Sequence, residues 1–115
     1  MCTVLCVLAP PDRYYNRTAY IGTTVKFPCA TNLKELVLWR RFKTLQTDPT
    51  FIFIFGRMYR GVDPRITVDK NDSYTLMITN VTVDDIAFYR CAEDHDLGNK
   101  RYYGLTVAGD IHCEK

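Results

Sequence analysis

The sequence predicts an all-β domain of antiparallel strands, on three observations. Apolar residues recur at every second position along most segments, the period of a strand with one buried face. Turn-forming residues punctuate these runs, among them Gly22, Gly61-Val62-Asp63-Pro64 and Gly98-Asn99. No stretch of the 115 residues carries the three-and-four spacing of an amphipathic helix.

Each element follows from that pattern. The apolar stretch Cys2 to Ala9 is too short to span a bilayer. It reads as a first strand behind the initiator Met or as the remnant of a signal-peptide core, although the basic segment that precedes such a core is missing. Gly22 opens a strand on which Val25, Phe27 and Cys29 share one face. Leu36 to Phe42 forms the next, with Val37 and Trp39 inward. Thr50 to Gly56 follows, with a short strand near Met58 to Arg60. Arg65-Ile66-Thr67-Val68 begins another after the Gly61–Pro64 turn, and Tyr74, Leu76 and Ile78 alternate along the one after that. Val81, Val83 and Ala87 flank a corner. Ala87 to Glu93 and Arg101 to Val107 are the last two strands, with Gly98-Asn99 in the turn between them and Leu105 and Val107 inward.

Composition sets the class. Residues 1–115 make one domain with one ordinary core, over about residues 4–108. The balance of 47% hydrophobic to 24% charged residues is that of a globular chain. A formal net charge of +2 is too small to imply nucleic acid or a membrane surface as partner. Five cysteines in so short a chain suggest an oxidising compartment. Asn16-Arg17-Thr18, Asn71-Asp72-Ser73 and Asn80-Val81-Thr82 are acceptor sequences for N-glycosylation, and all fall where loops or strand ends are expected. The chain is therefore expected to be extracellular: secreted, or the ectodomain of a cell-surface protein.

Four residue types recur at constrained offsets. Cys29 is followed ten residues later by Trp39, and the chain then reaches Asp85-Ile86-Ala87-Phe88-Tyr89-Arg90-Cys91, a D-x-A-x-Y-x-C pattern. This Cys…Trp…Tyr-x-Cys arrangement resembles the pin of the immunoglobulin superfamily, and the resemblance covers about Val4 to Val107. It implies a Greek-key β-sandwich, a Cys29–Cys91 disulfide between the sheets, Trp39 packed on it, and Tyr89 bonded back to the preceding corner. The 62-position separation of the cysteines leaves room for the two extra strands of the variable type. In that type an Arg and an Asp pair across the base of the sandwich, which implies Arg65 with Asp85, joined by Arg41. Asp63-Pro64-Arg65, Tyr74 to Ile78 and Val81 to Asp85 are similar to the first domains of neural adhesion proteins of the lachesin, amalgam and IgLON type. Antigen-receptor variable domains carry F-G-x-G at the last strand, whereas this chain reads Tyr102-Tyr103-Gly104-Leu105-Thr106 without the second Gly.

The expected function is recognition of a protein partner, itself or another, through one sheet face. That face is built from the segments 36–42, 50–56, 87–93 and 101–107, the C, C′, F and G strands in the family's lettering. Alternation points Leu36, Leu38, Arg40 and Phe42 outward, and likewise Phe88, Arg90 and Ala92. Phe51-Ile52-Phe53-Ile54-Phe55 is apolar on both faces, so one face is left over for an interaction. Leu38, Arg40, Phe53, Phe88, Arg90 and Tyr102 are the expected contact residues, an aromatic and Arg-rich composition typical of interfaces. Asn16, Asn71 and Asn80 are expected away from this sheet. The alternative is an antigen-receptor-like or innate immune-recognition domain that binds through loops near Thr31 to Lys34 and Asp94 to Lys100.

Other chemistry finds little support. Cys2, Cys6, His112 and Cys113 have poor spacing for zinc, and oxidising surroundings favour disulfides, so no metal is expected. A bridge from Cys2 or Cys6 to Cys113, intermolecular pairing and free thiols all stay open for these three cysteines. His95 lies between Glu93, Asp94 and Asp96 in what reads as a solvated acidic turn. No nucleophile–base motif and no phosphate-binding loop is present, so neither catalysis nor a cofactor is expected.

Overall fold

The computed structural model describes residues 13–29, 37–44, 46–54, 56–92 and 100–109. Cys2 to Ala9, Thr31 to Leu36, Phe55, Glu93 to Asn99, His112 and Cys113 lie outside the described residues. The strands are β1 (Arg13–Tyr20), β2 (Val25–Phe27), β3 (Leu38–Phe42), β4 (Thr50–Ile54), β5 (Arg57–Met58), β6 (Ile66–Asp69), β7 (Thr75–Ile78), β8 (Ala87–Ala92) and β9 (Lys100–Ala108). They form a six-stranded sheet, β1-β9-β8-β3-β4-β5, and a three-stranded sheet, β2-β7-β6. β1 runs parallel to β9, and every other pair is antiparallel.

Alternating apolar residues turn the inner faces of both sheets into one core. Phe27, Leu76 and Ile78 from the small sheet meet Trp39, Tyr89, Tyr103 and Leu105 from the large one, all essentially shut off from solvent. Phe27 stacks on Tyr103 with ring centroids 4.6 Å apart. Cys29, two residues past β2, is disulfide-bonded to Cys91 on β8, with their Cα atoms 5.8 Å apart. Trp39 lies opposite Cys91 in the β3–β8 ladder and belongs to the same core cluster. Its indole Nε1–H donates to the Tyr74 carbonyl at 2.9 Å, so the largest core side chain hides no unpaired donor.

That contact explains a strained turn. Ser73 and Tyr74, between β6 and β7, have φ of 52° and 58°, a left-handed pair closed by Thr75 N–H to Asp72 O at 2.9 Å. Two positive φ angles suit the right-handed twist of a tight hairpin but disfavour a bulky residue. Tyr74 is held there because its ring is buried edge-on to Phe53, with centroids 5.8 Å apart, while its carbonyl receives Trp39.

Three expectations need correction. Residues 13–20 form an edge strand of eight residues, where the sequence reading placed no strand. The strand expected over Thr50 to Gly56 stops at Ile54, and the chain turns through Gly56, φ 81°, into β5. β5 itself ends at Met58 rather than Arg60.

The disulfide closes most of the core strands into one loop. Replacing Cys29 and Cys91 together by Ala is expected to lower unfolding stability by about 4 kcal/mol in the chain-entropy account, read from denaturant midpoints of parent and variant.

Candidate functional site

The base of the sandwich fixes the relation between the two sheets. Arg65, just ahead of β6, grips the buried Asp85 with both guanidinium nitrogens, Nη1 to Oδ2 and Nη2 to Oδ1, each at 2.9 Å. The same guanidinium reaches exposed Asp63 at 3.0 Å and the Asn80 carbonyl at 2.8 Å. Asp85 ends a 3₁₀ turn, Val83–Asp85, and its Oδ2 accepts the Thr82 N–H at 2.8 Å in a capping box. Tyr89 O–H donates to the Asp85 carbonyl at 2.6 Å. Arg41 does not reach the Asp85 carboxylate. It donates instead to the Asp84 carbonyl at 2.6 Å and the Tyr89 hydroxyl at 3.3 Å. Burial alone would raise the Asp85 carboxyl above its ordinary pKa, but the hydrogen bonds from Arg65 and Thr82 outweigh it and hold the group low. Burial pushes the Tyr89 phenol up.

The outer face of the six-stranded sheet carries a continuous row across five strands. Register aligns Tyr14 on β1 with Tyr102 on β9, Arg90 on β8, Arg40 on β3 and Phe51 on β4. The Arg40 guanidinium sits 5.0 Å from the Phe51 ring centroid, and that of Arg90 sits 5.1 Å from Phe42 and 5.8 Å from Tyr102. Phe51 meets exposed Tyr59 with centroids 5.4 Å apart, and Tyr14 meets Phe88 at 6.3 Å. Opposed like charges disfavour a strand pair, and the flanking aromatic faces offset that.

Membership of this row differs from expectation at two positions. Phe53 faces inward and is only 2% exposed. The β3–β4 register shifts between Trp39 and Arg40, a bulge that turns both Ile52 and Phe53 into the core and leaves Phe51 on the outer face. Leu38 has the predicted parity, in register with Ala92, but it is 5% exposed and offers no surface. Arg40, Phe88, Arg90 and Tyr102 are half-buried on the face. Phe51, Tyr14 and Tyr59 were missed. Period-two parity from Tyr102 could not reveal Tyr14, because β1 itself was not read as a strand.

The acceptor asparagines do not all avoid this sheet. Asn71 and Asn80 are exposed in the turn after β6 and just past β7, on the three-stranded side. Asn16 is also exposed, but it lies in the middle of β1, in register with Gly104. It therefore belongs to the six-stranded sheet.

A cleft of about 650 Å³ opens beneath β4 and β5, lined in part by Phe51, Tyr59, Arg41, Arg65, Asp63 and Asp85. The last four are committed to the base network. Among the described residues no three His, Cys, Asp or Glu side chains converge as metal ligands, and no helix there is long and apolar enough to cross a membrane. No known protein family matches the chain, and no curated protein resembles it closely enough to count as a relative.

Asp85→Asn is expected to destabilise the domain by about 2 kcal/mol at neutral pH, since the buried two-point contact is lost and Arg65 keeps only the exposed Asp63 as its ion-pair partner. A carboxyl held below its ordinary pKa contributes its full stability above about pH 4 and loses it as pH falls through the folded value. Denaturant titrations between about pH 5 and 2 should therefore show a flatter pH dependence for the variant than for the parent.

Proposed function

We propose that the chain is an extracellular recognition module, a variable-type immunoglobulin domain, secreted or borne on a cell surface, that binds a protein partner through the outer face of its six-stranded sheet. The sheet order, the disulfide between the sheets with Trp39 opposite Cys91, and the Arg65–Asp85–Tyr89 corner support that class. The single observation that carries the binding reading is the row Tyr14–Tyr102–Arg90–Arg40–Phe51, extended by Tyr59.

A row of Tyr, Phe and Arg has the composition of interface hot spots. It stands on paired strands, so little conformational freedom is lost when a partner closes over it. A contact of about 800 Å² per side is standard for such a domain, and area does not set affinity. Micromolar binding suffices where many copies act together at a surface. The partner is a second copy or another extracellular domain, and the test separates the two.

Phe51→Asp and Tyr59→Asp are expected to keep the disulfide-bonded fold and to weaken binding at least tenfold, because each replaces an aromatic anchor of the contact with a carboxylate that a partner would have to desolvate. Light scattering across a concentration series reads self-association. Retention on a panel of immobilised ectodomains from the same source reads binding to others. Tyr20→Asp, a change at an exposed residue outside the row, serves as control. Parent-like behaviour of both face variants would move the contact to the loops near residues 31–34 and 94–100.

A further inference from the structure

We propose that Asn16 carries an N-linked glycan whose first sugar packs on Tyr14 and covers the β1–β9 side of the outer face, so that docking is confined to the β8–β3–β4 side. The confinement rests on the partner-binding reading above, and the glycan only on its extracellular placement.

Along β1 the side chains alternate. Ala19 is buried on the inner face, while Tyr14, Asn16 and Thr18 are exposed, with Asn16 in register with Gly104 and Tyr14 with Tyr102. The acceptor asparagine, the threonine that its recognition requires and an aromatic ring two residues earlier thus share one side of one strand. Gly104 shows how closely they converge. A Cβ there would lie 2.6 Å from the Tyr14 hydroxyl, 3.2 Å from a Phe88 ring carbon and 3.3 Å from Asn16 Oδ1. The three side chains occupy the space above a residue that has none, and they form a floor of two aromatic rings with the amide at its margin. A sugar joined to that amide would lay its C–H face on the Tyr14 ring, which is 48% exposed. Neither other acceptor has such a floor: Asp69 stands two residues before Asn71, and the buried Ile78 two before Asn80.

The transfer balances without any group from this chain beyond the amide. Asn16 Nδ2 attacks C1 of an oligosaccharide carried on a lipid pyrophosphate. The N–C1 bond forms, the C1–O bond to the pyrophosphate breaks, the lipid pyrophosphate leaves, and the one proton lost from Nδ2 passes by way of solvent to that leaving pyrophosphate. The secretory pathway supplies that donor before the chain folds, and Thr18 then pairs its hydroxyl with that of Thr106 at 3.0 Å. In the folded domain the glycan would rise over Tyr14 and Gly104, on β1 and β9. Arg40, Phe51 and Tyr59 lie beyond β8 and stay clear.

The test is a double-mutant cycle made in a glycosylating eukaryotic host and again in bacteria: parent, Asn16→Gln, Tyr14→Val and the double variant. Peptide mass spectrometry of the secreted parent should find Asn16 occupied. Asn16→Gln should lower the thermal midpoint by about 4 °C in the Tyr14 background and by much less in the Tyr14→Val background, and the bacterial set should show no such coupling. Trimming the glycan to its first sugar should keep the parent's midpoint. An unoccupied Asn16 overturns the proposal, as does an equal midpoint loss with and without Tyr14. None of these readouts involves a partner, so they fail or succeed independently of the docking reading.

Discussion

Among the described residues the two sheets share no backbone ladder, and everything else depends on how they are held together. Side-chain burial does most of it, through Phe27, Trp39, Leu76, Tyr89 and Tyr103. Burial has no direction and would tolerate a slid or rotated pair of sheets. Four directional contacts remove that freedom. The Cys29–Cys91 bond joins the end of β2 to β8. The Trp39 indole is tied to the β6–β7 turn. Tyr103, on β9, donates its hydroxyl to the Pro28 carbonyl beside Cys29. At the base, Arg65 ahead of β6 clamps Asp85 ahead of β8. The four contacts span the length of the sandwich, so the outer row of the large sheet stands on a support that cannot shift.

A six-stranded sheet cannot be covered by a three-stranded one. At the usual strand spacing the first is roughly 24 Å wide and the second roughly 10 Å. The overhang at each side must be filled by something other than the small sheet. On the β1 side Tyr15 stacks on Tyr103, and the guanidinium groups of Arg17 and Arg101 lie 5.2 Å and 5.7 Å from its ring. On the β4–β5 side the bulge turns both Ile52 and Phe53 inward, and Met58 and Val62 pack against the core there. The cleft beneath β4 and β5 is the part of this overhang that side chains leave open. The bulge that removes Phe53 from the outer face is thus the same feature that closes the core.

What the sequence disclosed depended on residue type and on parity. Cys29, Trp39, Tyr89 and Cys91 are rare types at fixed offsets, and their neighbours in space follow from those offsets. β7 from Leu76 to Ile78 and β8 from Ala87 to Cys91 alternate in burial because each has one face in the core. Parity failed at Phe53, where one extra residue reverses it. It was right at Leu38 but silent about exposure, since alternation assigns a side and says nothing of what covers it. β1 escaped notice for a different reason. An edge strand hydrogen-bonds along one side only, and Arg13-Tyr14-Tyr15-Asn16-Arg17-Thr18-Ala19-Tyr20 buries just one residue fully among those whose side chains are described. Without an apolar face it leaves no period to detect.

That omission mattered most for function, because β1 decides how much of the outer face is open. With no strand read over residues 13–20, the sheet ended at β9 and every acceptor asparagine was expected elsewhere. With β1 in place, the row gains Tyr14 at one end, and Asn16 stands beside it on the same side. Gly104 links the two findings. Its missing side chain leaves room for Tyr14, Asn16 and Phe88 to meet above β9, and any larger residue there would displace the Tyr14 hydroxyl first. The row is therefore unequal along its length. Its β1 end is built from exposed polar and aromatic groups around an acceptor amide, while its β3–β4 end is built from Arg40 held on Phe51 and Phe51 against Tyr59. Rigid, partly desolvated aromatic groups therefore stand at the second end, where each is already braced by its neighbour.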